Sequence, residues 1–488
     1  MSKSIVAIAV LLAAGLGITA AVLLSGPSTG GSNSGEEVRI AHQEMLFEID
    51  PAEVAAITVE RGGRISSVRR AGGASWVFID GPVDLAKPPT GWPANAPRIR
   101  AALDRLTRID RVGGDVSADP GEAAVSITVT TREAGLRTLR VATVAVGGNV
   151  AASTDNSSGL IERAAVAPLL DEGPLAWRLT DAFPGVGPTT TSRLMIEARN
   201  TPRLALEKIE SSWFLRSPVS ARAEADAVTQ LLADLGAVDV IRFDDQIDPA
   251  PFADPSMVIA AERDRRTFEG GRVDIQTERT IVEIADSLSA GGSSVRARVT
   301  LDDGSTHRVT VTRSGLPRLS LLESPETLIT RTPSGAVAED VYFLTIDPPN
   351  SGETLGFRRR IDTWVRMRRD GGDAQVSAET RGAIEAAVSL LTSPVGSPAT
   401  LSGETGLTTP AQIELRGASG GVIDVLRAGY DAAGQPIIRA GGVVWRYNRE
   451  QASPIFALGQ IPPAEALERT PERSPPAPDP DGESPGGK

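Results

Sequence analysis

One pattern occurs three times in this chain, and it limits the available folds more than any other feature. A short alternating strand leads to a charged second strand, then to a tryptophan-centred strand, then to an amphipathic helix. In the first copy, residues 57–61 lead through Gly62-Gly63 to 65–69 and to Ser75-Trp76-Val77-Phe78-Ile79. In the second, residues 194–198 lead to Arg203-Leu204-Ala205-Leu206-Glu207 and Ser212-Trp213-Phe214-Leu215. In the third, Phe343-Leu344-Thr345-Ile346 leads to 354–358 and Thr363-Trp364-Val365-Arg366-Met367. Alternation and β-branched content read as strands. Ile99, Ala102, Leu103 and Leu106 then form one apolar stripe at helical spacing. So do Val228, Leu231, Leu232 and Leu235, and Ile384, Ala387, Val388 and Leu391. Ser220 and Ser377 are candidate N-caps of the second and third helices, and Gly236 a candidate end of the second.

Each copy continues into hairpins. Residues 124–130 and 138–146 flank Glu133-Ala134-Gly135, and 294–301 and 307–312 flank the turn Asp302-Asp303-Gly304. Residues 413–415, 422–426, 436–440 and 443–447 form the last set. The expected fold is α+β: an N-terminal transmembrane helix, then three repeated units of antiparallel sheet, each with one main packed helix. Trp76, Trp213 and Trp364 are expected to plug the three cores.

The two ends read differently from the middle. Residues 5–24 form an apolar run interrupted only by Thr19, with Lys3 before it. About 20 such residues span a bilayer core of ~30 Å. Positive charge stays inside, so the bulk of the chain is expected outside the cytoplasm, periplasmic if the host has two membranes. The run ends in Val22-Leu23-Leu24 without a small-x-small site. It reads as a signal anchor, with a cleaved signal peptide as the alternative. The expected organisation is a cytoplasmic stub (1–4), the anchor (5–24) and a Gly/Ser linker (25–37). Repeat units follow at 38–187, 192–340 and 341–460, then a proline-rich disordered tail (461–488).

Composition removes several chemistries. The 488 residues carry a net charge of −12, which disfavours nucleic acid as a general partner. There is no cysteine, so disulfides, thiol catalysis and cysteine-ligated metals are excluded. The only histidines are His42 and His307. Gly26-Pro27-Ser28-Thr29-Gly30 and Gly417-Ala418-Ser419-Gly420-Gly421 fit the spacing of a nucleophile elbow without its strand–turn–helix context. Asp244, Asp245, Asp248 and Asp254 lack the spacing of a calcium loop. No catalytic, metal or cofactor residue is assigned.

The most unusual local feature is a run of six arginines within residues 358–369 of this acidic protein. Read as one strand, it places Arg358, Arg360, Trp364, Arg366 and Arg368 on one face, and Ile361, Val365 and Met367 on the other. Arg358, Arg360, Arg366, Arg368 and Arg369 are therefore the candidate patch for an anionic partner, since guanidinium groups bind carboxylates and phosphates bidentately. The alternative is a solvated face paired with the protein's own acids. This face would also expose Trp364, against the repeat pattern.

Several of these residues carry a resemblance. The run Ile49-Asp50-Pro51-Ala52-Glu53-Val54-Ala55-Ala56-Ile57-Thr58-Val59-Glu60-Arg61, with Trp76 and Pro82, resembles the domain-of-unknown-function family 4340. So does Leu204-Ala205-Leu206-Glu207 with Trp213, Pro218, Ala223, Asp226, Ala227, Val228, Leu231 and Leu232, and so does Trp177-Arg178 at the end of the first unit. The third unit departs from it, with Arg368-Arg369-Asp370-Gly371 where a proline would follow Trp364. The resemblance implies an exported part behind one membrane helix and an association with ABC-type transporters and gliding-type auxiliary proteins. It implies no reaction. The expectation is a non-enzymatic, membrane-anchored binding or scaffold protein with a membrane-protein partner such as an ABC-type permease. A sensor or ligand-binding module is the alternative, and a hydrolase using paired carboxylates comes third.

Overall fold

A computed structural model describes residues 44–461, apart from 113–117, 134, 171–173, 245–247, 270–271, 287–290, 350–351, 362, 396–398 and 402–406. The described chain is dominated by β-structure, which corrects the α+β expectation. It contains twenty-eight strands against six α-helices. The helices are α1 (Ala96–Leu106), α2 (Arg163–Leu170), α3 (Ala225–Gly236), α4 (Leu319–Glu323), α5 (Ala378–Thr392) and α6 (Arg449–Leu458). The correction has a physical source. Strands such as Trp92–Pro93, Ala221–Arg222 and Thr400–Leu401 have two residues each, too few for any alternation to show. The expected anchor at 5–24 and tail at 461–488 lie outside the described residues, except Ile461. No described helix is long and apolar enough to cross a membrane.

Three large antiparallel sheets of eight, nine and nine strands follow one plan. In the second sheet, Thr191–Ala198, Leu204–Ile209, Ser212–Ser217 and Ala221–Arg222 step outward as a meander to a two-residue edge. Helix α3 then crosses the sheet, and Val240–Phe243 pairs at the far edge with Thr306–Thr312. The strand Met257–Glu269 returns to the middle beside Thr191–Ala198 and opens a second meander. The third sheet repeats this, with Phe343–Asp347 and Thr408–Arg416 at its centre and Thr400–Leu401 at the far edge. In the first, Arg108–Asp110 pairs with Met45–Glu48 instead, yet Val112 still bridges to Leu160 in the last strand.

Each crossover helix buries its expected stripe. Ile99, Ala102, Leu103 and Leu106 are buried on α1, and the matching residues on α3 and α5 are buried too. Each fully buried aliphatic side chain contributes ~1.5–3 kcal/mol. Ser377 caps α5 by accepting the Thr380 N–H at 3.0 Å. The second cap is a correction: α3 starts after Glu224, which gives no side-chain bond, and Ser220 lies ahead of it. Gly236 closes the last turn, with Ala237 as C-cap. Trp76, Trp213 and Trp364 are buried, at 6%, 5% and 1% exposure. In every unit a cation on the neighbouring strand stands directly opposite the tryptophan and over its ring. Arg70 lies 4.9 Å from the Trp76 centroid, Lys208 5.9 Å from Trp213 and Arg359 5.3 Å from Trp364.

The units are joined by extended connectors. Residues 177–182 lie along the short edge of the first sheet, with Asn95 N–H donating to Trp177 O and Leu179 N–H to Pro93 O. Their other side belongs to the second unit, where Ala182 N–H donates to Val238 O and Val240 N–H to Thr180 O. Residues 328–334 do the same between units two and three. Glu224 N–H and Thr330 N–H bond Leu328 O and Arg222 O, while Ser334 N–H and Val395 N–H bond Leu391 O and Arg331 O. One apolar cluster runs through all three units.

Candidate functional site

The arginine run folds as a hairpin, not as one strand. Leu355–Arg360 pairs with Thr363–Met367, Arg358 facing Val365 and Arg359 facing Trp364. Ile361 takes a positive φ of 51° at the reversal and is 93% exposed. The reversal divides the candidate patch. Directly paired residues share a face, so Arg358 and Arg360 lie with Met367, and Arg366 lies with Phe357, Arg359 and Trp364. This corrects the single-strand expectation of Arg358, Arg360, Trp364, Arg366 and Arg368 on one face, since the turn at Ile361 reverses the chain between Arg360 and Thr363.

The next turn brings in a residue that sequence reasoning missed. The chain reverses again after Arg369, and Asp373 pairs with Met367 on the face of Arg358 and Arg360. Its carboxylate accepts from Arg358 Nη2 at 2.6 Å and lies 2.5 Å from Arg360 Nη2. Hydrogen bonding from Arg358, then the nearby guanidinium charges, hold the Asp373 carboxyl below the usual aspartate range. Arg366 lies 3.5 Å from Glu353, and Arg359 donates to the carbonyls of Ala338 and Glu339. Arg368 and Arg369 are exposed, and no described side-chain bond uses them. The signal for Asp373 was present in Asp370-Gly371-Gly372-Asp373, a reversal that returns an acid to the strand.

The chain matches no protein-family model, no curated protein and no solved structure. The resemblance to family 4340 therefore stands on the quoted residues alone.

Beside this hairpin lies the outer edge of the third sheet, Asp373–Gln375. It occupies the place of Trp92–Pro93 and Ala221–Arg222 in the other units. Those two edges are covered by connectors. Among the described residues, no connector lies along Asp373–Gln375. Arg366, Arg368 and Arg369 are exposed close in the chain and in the sheet to this open edge, Arg366 pairing directly with Ala374.

Concavities lie elsewhere among the described residues. A groove of about 670 Å³ lies between α3 and residues 315–328, lined by Ala227, Leu231, Leu316, Pro317, Leu321 and Leu328. Its origin is a shortened helix. Helices α2 and α6 cover α1 and α5, whereas α4 has only five residues. A cavity of about 280 Å³ sits where units two and three meet, bounded by Phe214, Arg216, Arg222, Asp424 and Trp445. Its polar groups are already engaged: Asp424 accepts from Ser334 Oγ at 2.6 Å and Gly335 N at 2.8 Å, and Arg222 donates to Gly335 O. His307 lies on the strand Thr306–Thr312, edge-on to Trp92 at 5.1 Å. Asp254 pairs with Arg199, and Asp244 with Arg242. His42 and Asp245 lie outside the described residues.

Proposed function

We propose that this chain is a non-enzymatic scaffold that docks an acidic segment of a membrane-protein partner on the outer edge of its third unit. The observation that supports this reading is the open edge Asp373–Gln375 beside exposed Arg366, Arg368 and Arg369, at the position the other two units cover with a connector. An extended acidic peptide would add a strand there and place its carboxylates against the guanidinium groups. The apolar run at 5–24, with Lys3 before it, supports a location on the extracytoplasmic face of a cell membrane. The resemblance to family 4340 supports an ABC-type permease as the class of partner.

The experiment is co-purification of the full chain from detergent-solubilised membranes, beside an Arg366→Glu/Arg368→Glu/Arg369→Glu variant. A partner recovered with the parent and lost with the variant is expected. Repeated recovery of the parent chain alone, or equal recovery with the variant, counts against the proposal. Membrane fractionation checks the location independently.

A further inference from the structure

The second unit carries an extension that the other two units lack. Its central hairpin has two strands of 13 residues, Met257–Glu269 and Arg272–Ile284, paired from Met257↔Ile284 to Glu269↔Arg272. The matching hairpin of the third unit has strands of nine residues. The sheet supports only the base of the extension. Thr191–Ala198 pairs with residues 257–263, and Ser294–Thr300 pairs with residues 281–284. Asp302 Oδ1 accepts the Arg279 N–H at 3.2 Å. Above that bond, residues 272–278 have no neighbouring strand on their outer side among the described residues. Val273 and Ile275 are exposed there at 54% and 56%.

Strand geometry says which groups face outward. Backbone groups alternate between the two sides of a strand. The Arg279 N–H points away from Met257–Glu269, so those of Val273, Ile275 and Thr277 do as well. The side chains of these three residues share one face, and Arg272, Asp274, Gln276 and Glu278 share the other. Glu278 is held by Arg263 and Arg265 of its own hairpin.

We propose that this edge pairs antiparallel with the same edge of a second copy of the chain, about a two-fold axis at Ile275. Outward residues must face outward residues, which leaves three registers centred on the middle of this stretch. Centring on Asp274 sets that carboxylate against its own copy. Centring on Gln276 sets Asp274 against Glu278 twice. Centring on Ile275 sets Arg272 against Glu278 twice, Asp274 against Gln276, and Val273 against Thr277. Like charges directly opposite one another destabilise a sheet and opposite charges stabilise it. The favoured register also spans residues 272–278, the whole stretch that Asp302 leaves open. The interface is isologous, as a two-fold dimer requires. It uses an exposed edge that soluble proteins ordinarily blunt.

The test uses the full chain in mild detergent. The chain contains no cysteine, so Ile275→Cys creates one thiol at the axis. Hydrogen-bonded partners lie about 5.5 Å apart at Cα, within disulfide reach. Oxidation is expected to convert this variant to a covalent dimer, whereas Asp303→Cys, outside the edge, is expected to form no covalent dimer, read on a denaturing gel. By sedimentation the parent chain is expected at twice the monomer mass. Ile275→Pro removes an outward N–H while sparing the ladder to Met257–Glu269, a place where an edge strand tolerates proline, and is expected to return the monomer with unchanged circular dichroism. Arg272→Glu and Glu278→Arg are each expected to be monomeric alone and dimeric when mixed, because each supplies the charge the other lacks. A parent chain monomeric at every concentration overturns the proposal. So does failure of the mixture to dimerise, or cross-linking of Asp303→Cys to the same extent as Ile275→Cys.

Discussion

The junction of units one and two and that of units two and three use the same backbone design with opposite side-chain solutions. In both, a connector carbonyl is bonded by a tryptophan indole. At the first junction the indole comes from the preceding unit: Trp92 Nε1 donates to Leu179 O at 2.7 Å. Its ring meets Phe243 and His307 of the following unit edge-on, at 5.0 and 5.1 Å. Gly91 permits this turn, since with φ +150° a Cβ there would stand 2.3 Å from Phe78 O. At the second junction the place of Trp92 is taken by Ala221, which pairs with Leu215 as Trp92 pairs with Phe78. The indole comes from the following unit instead: Trp445 Nε1 donates to Thr330 O at 3.2 Å. A repeated backbone thus demands a buried donor at one point and is indifferent to which unit supplies it.

The junctions also differ in charge. Arg178 fills the first, lying over Phe78 at 4.3 Å and Phe243 at 4.4 Å, and an antiparallel bridge sets Asp181 opposite Asp239. Burial first, and the Asp239 charge second, push the Asp181 carboxyl above the usual aspartate range. At the second junction the acid, Asp424, is bonded by a hydroxyl and a backbone N–H.

This comparison can be broken most directly at the indoles. Trp92→Ala and Trp445→Ala each create a cavity and orphan a carbonyl, and each is expected to cost about 3–5 kcal/mol in chemical denaturation. Ala221→Trp added to Trp445→Ala is expected to recover part of that loss. A double variant no more stable than Trp445→Ala would show that the two indoles are not equivalent. Asp424→Ala leaves the Gly335 N–H without its acceptor and is expected to lower stability by about 1.5–3 kcal/mol.

The effect of Asp181 has the opposite sign. A carboxyl whose folded pKa is raised gains stability as pH falls through that folded value, because the folded state then binds the proton more tightly. Asp181→Asn is expected to raise the melting temperature slightly at neutral pH and to remove the gain on acidification. Asp286 and Asp373 act the other way, their carboxyls being held low chiefly by bonds from Arg296 and Arg358. Their contribution is present above the unfolded aspartate value and is lost as pH falls through the folded ones. A melting profile from neutral to acid that lacks this late fall would contradict the assignment. The smallest effect is expected at Arg368→Ala and Arg369→Ala, within about 0.5 kcal/mol of the parent, since neither side chain has a described partner.

Half of the tryptophans show where the sequence was legible. Trp76, Trp213 and Trp364 recur in the same local context, so their role in each unit's core could be read from pattern alone. Trp92 and Trp445 sit in unlike contexts, and their common role at the junctions depends on contacts between units. The arginine run was legible as a charge anomaly but not as a surface. The turn at Ile361 moved Arg358 and Arg360 away from Arg366, and Asp373 engaged both. The 13-residue hairpin leaves a signal in the sequence, the alternation of Val273, Ile275 and Thr277 with Arg272, Asp274 and Gln276, but nothing in that pattern says that Val273 and Ile275 stay exposed.

The sequence by itself determined the three helix stripes, the tryptophan strands and the order in which they occur. These rest on periodicities of 3.6 and 2 that bury one face of a local element, whatever surrounds it. Only the tertiary structure decided that the two-residue edges are strands, which unit supplies each junction indole, and which edges stay open. Those outcomes depend on backbone groups finding partners far along the chain, and no local pattern encodes such a partner.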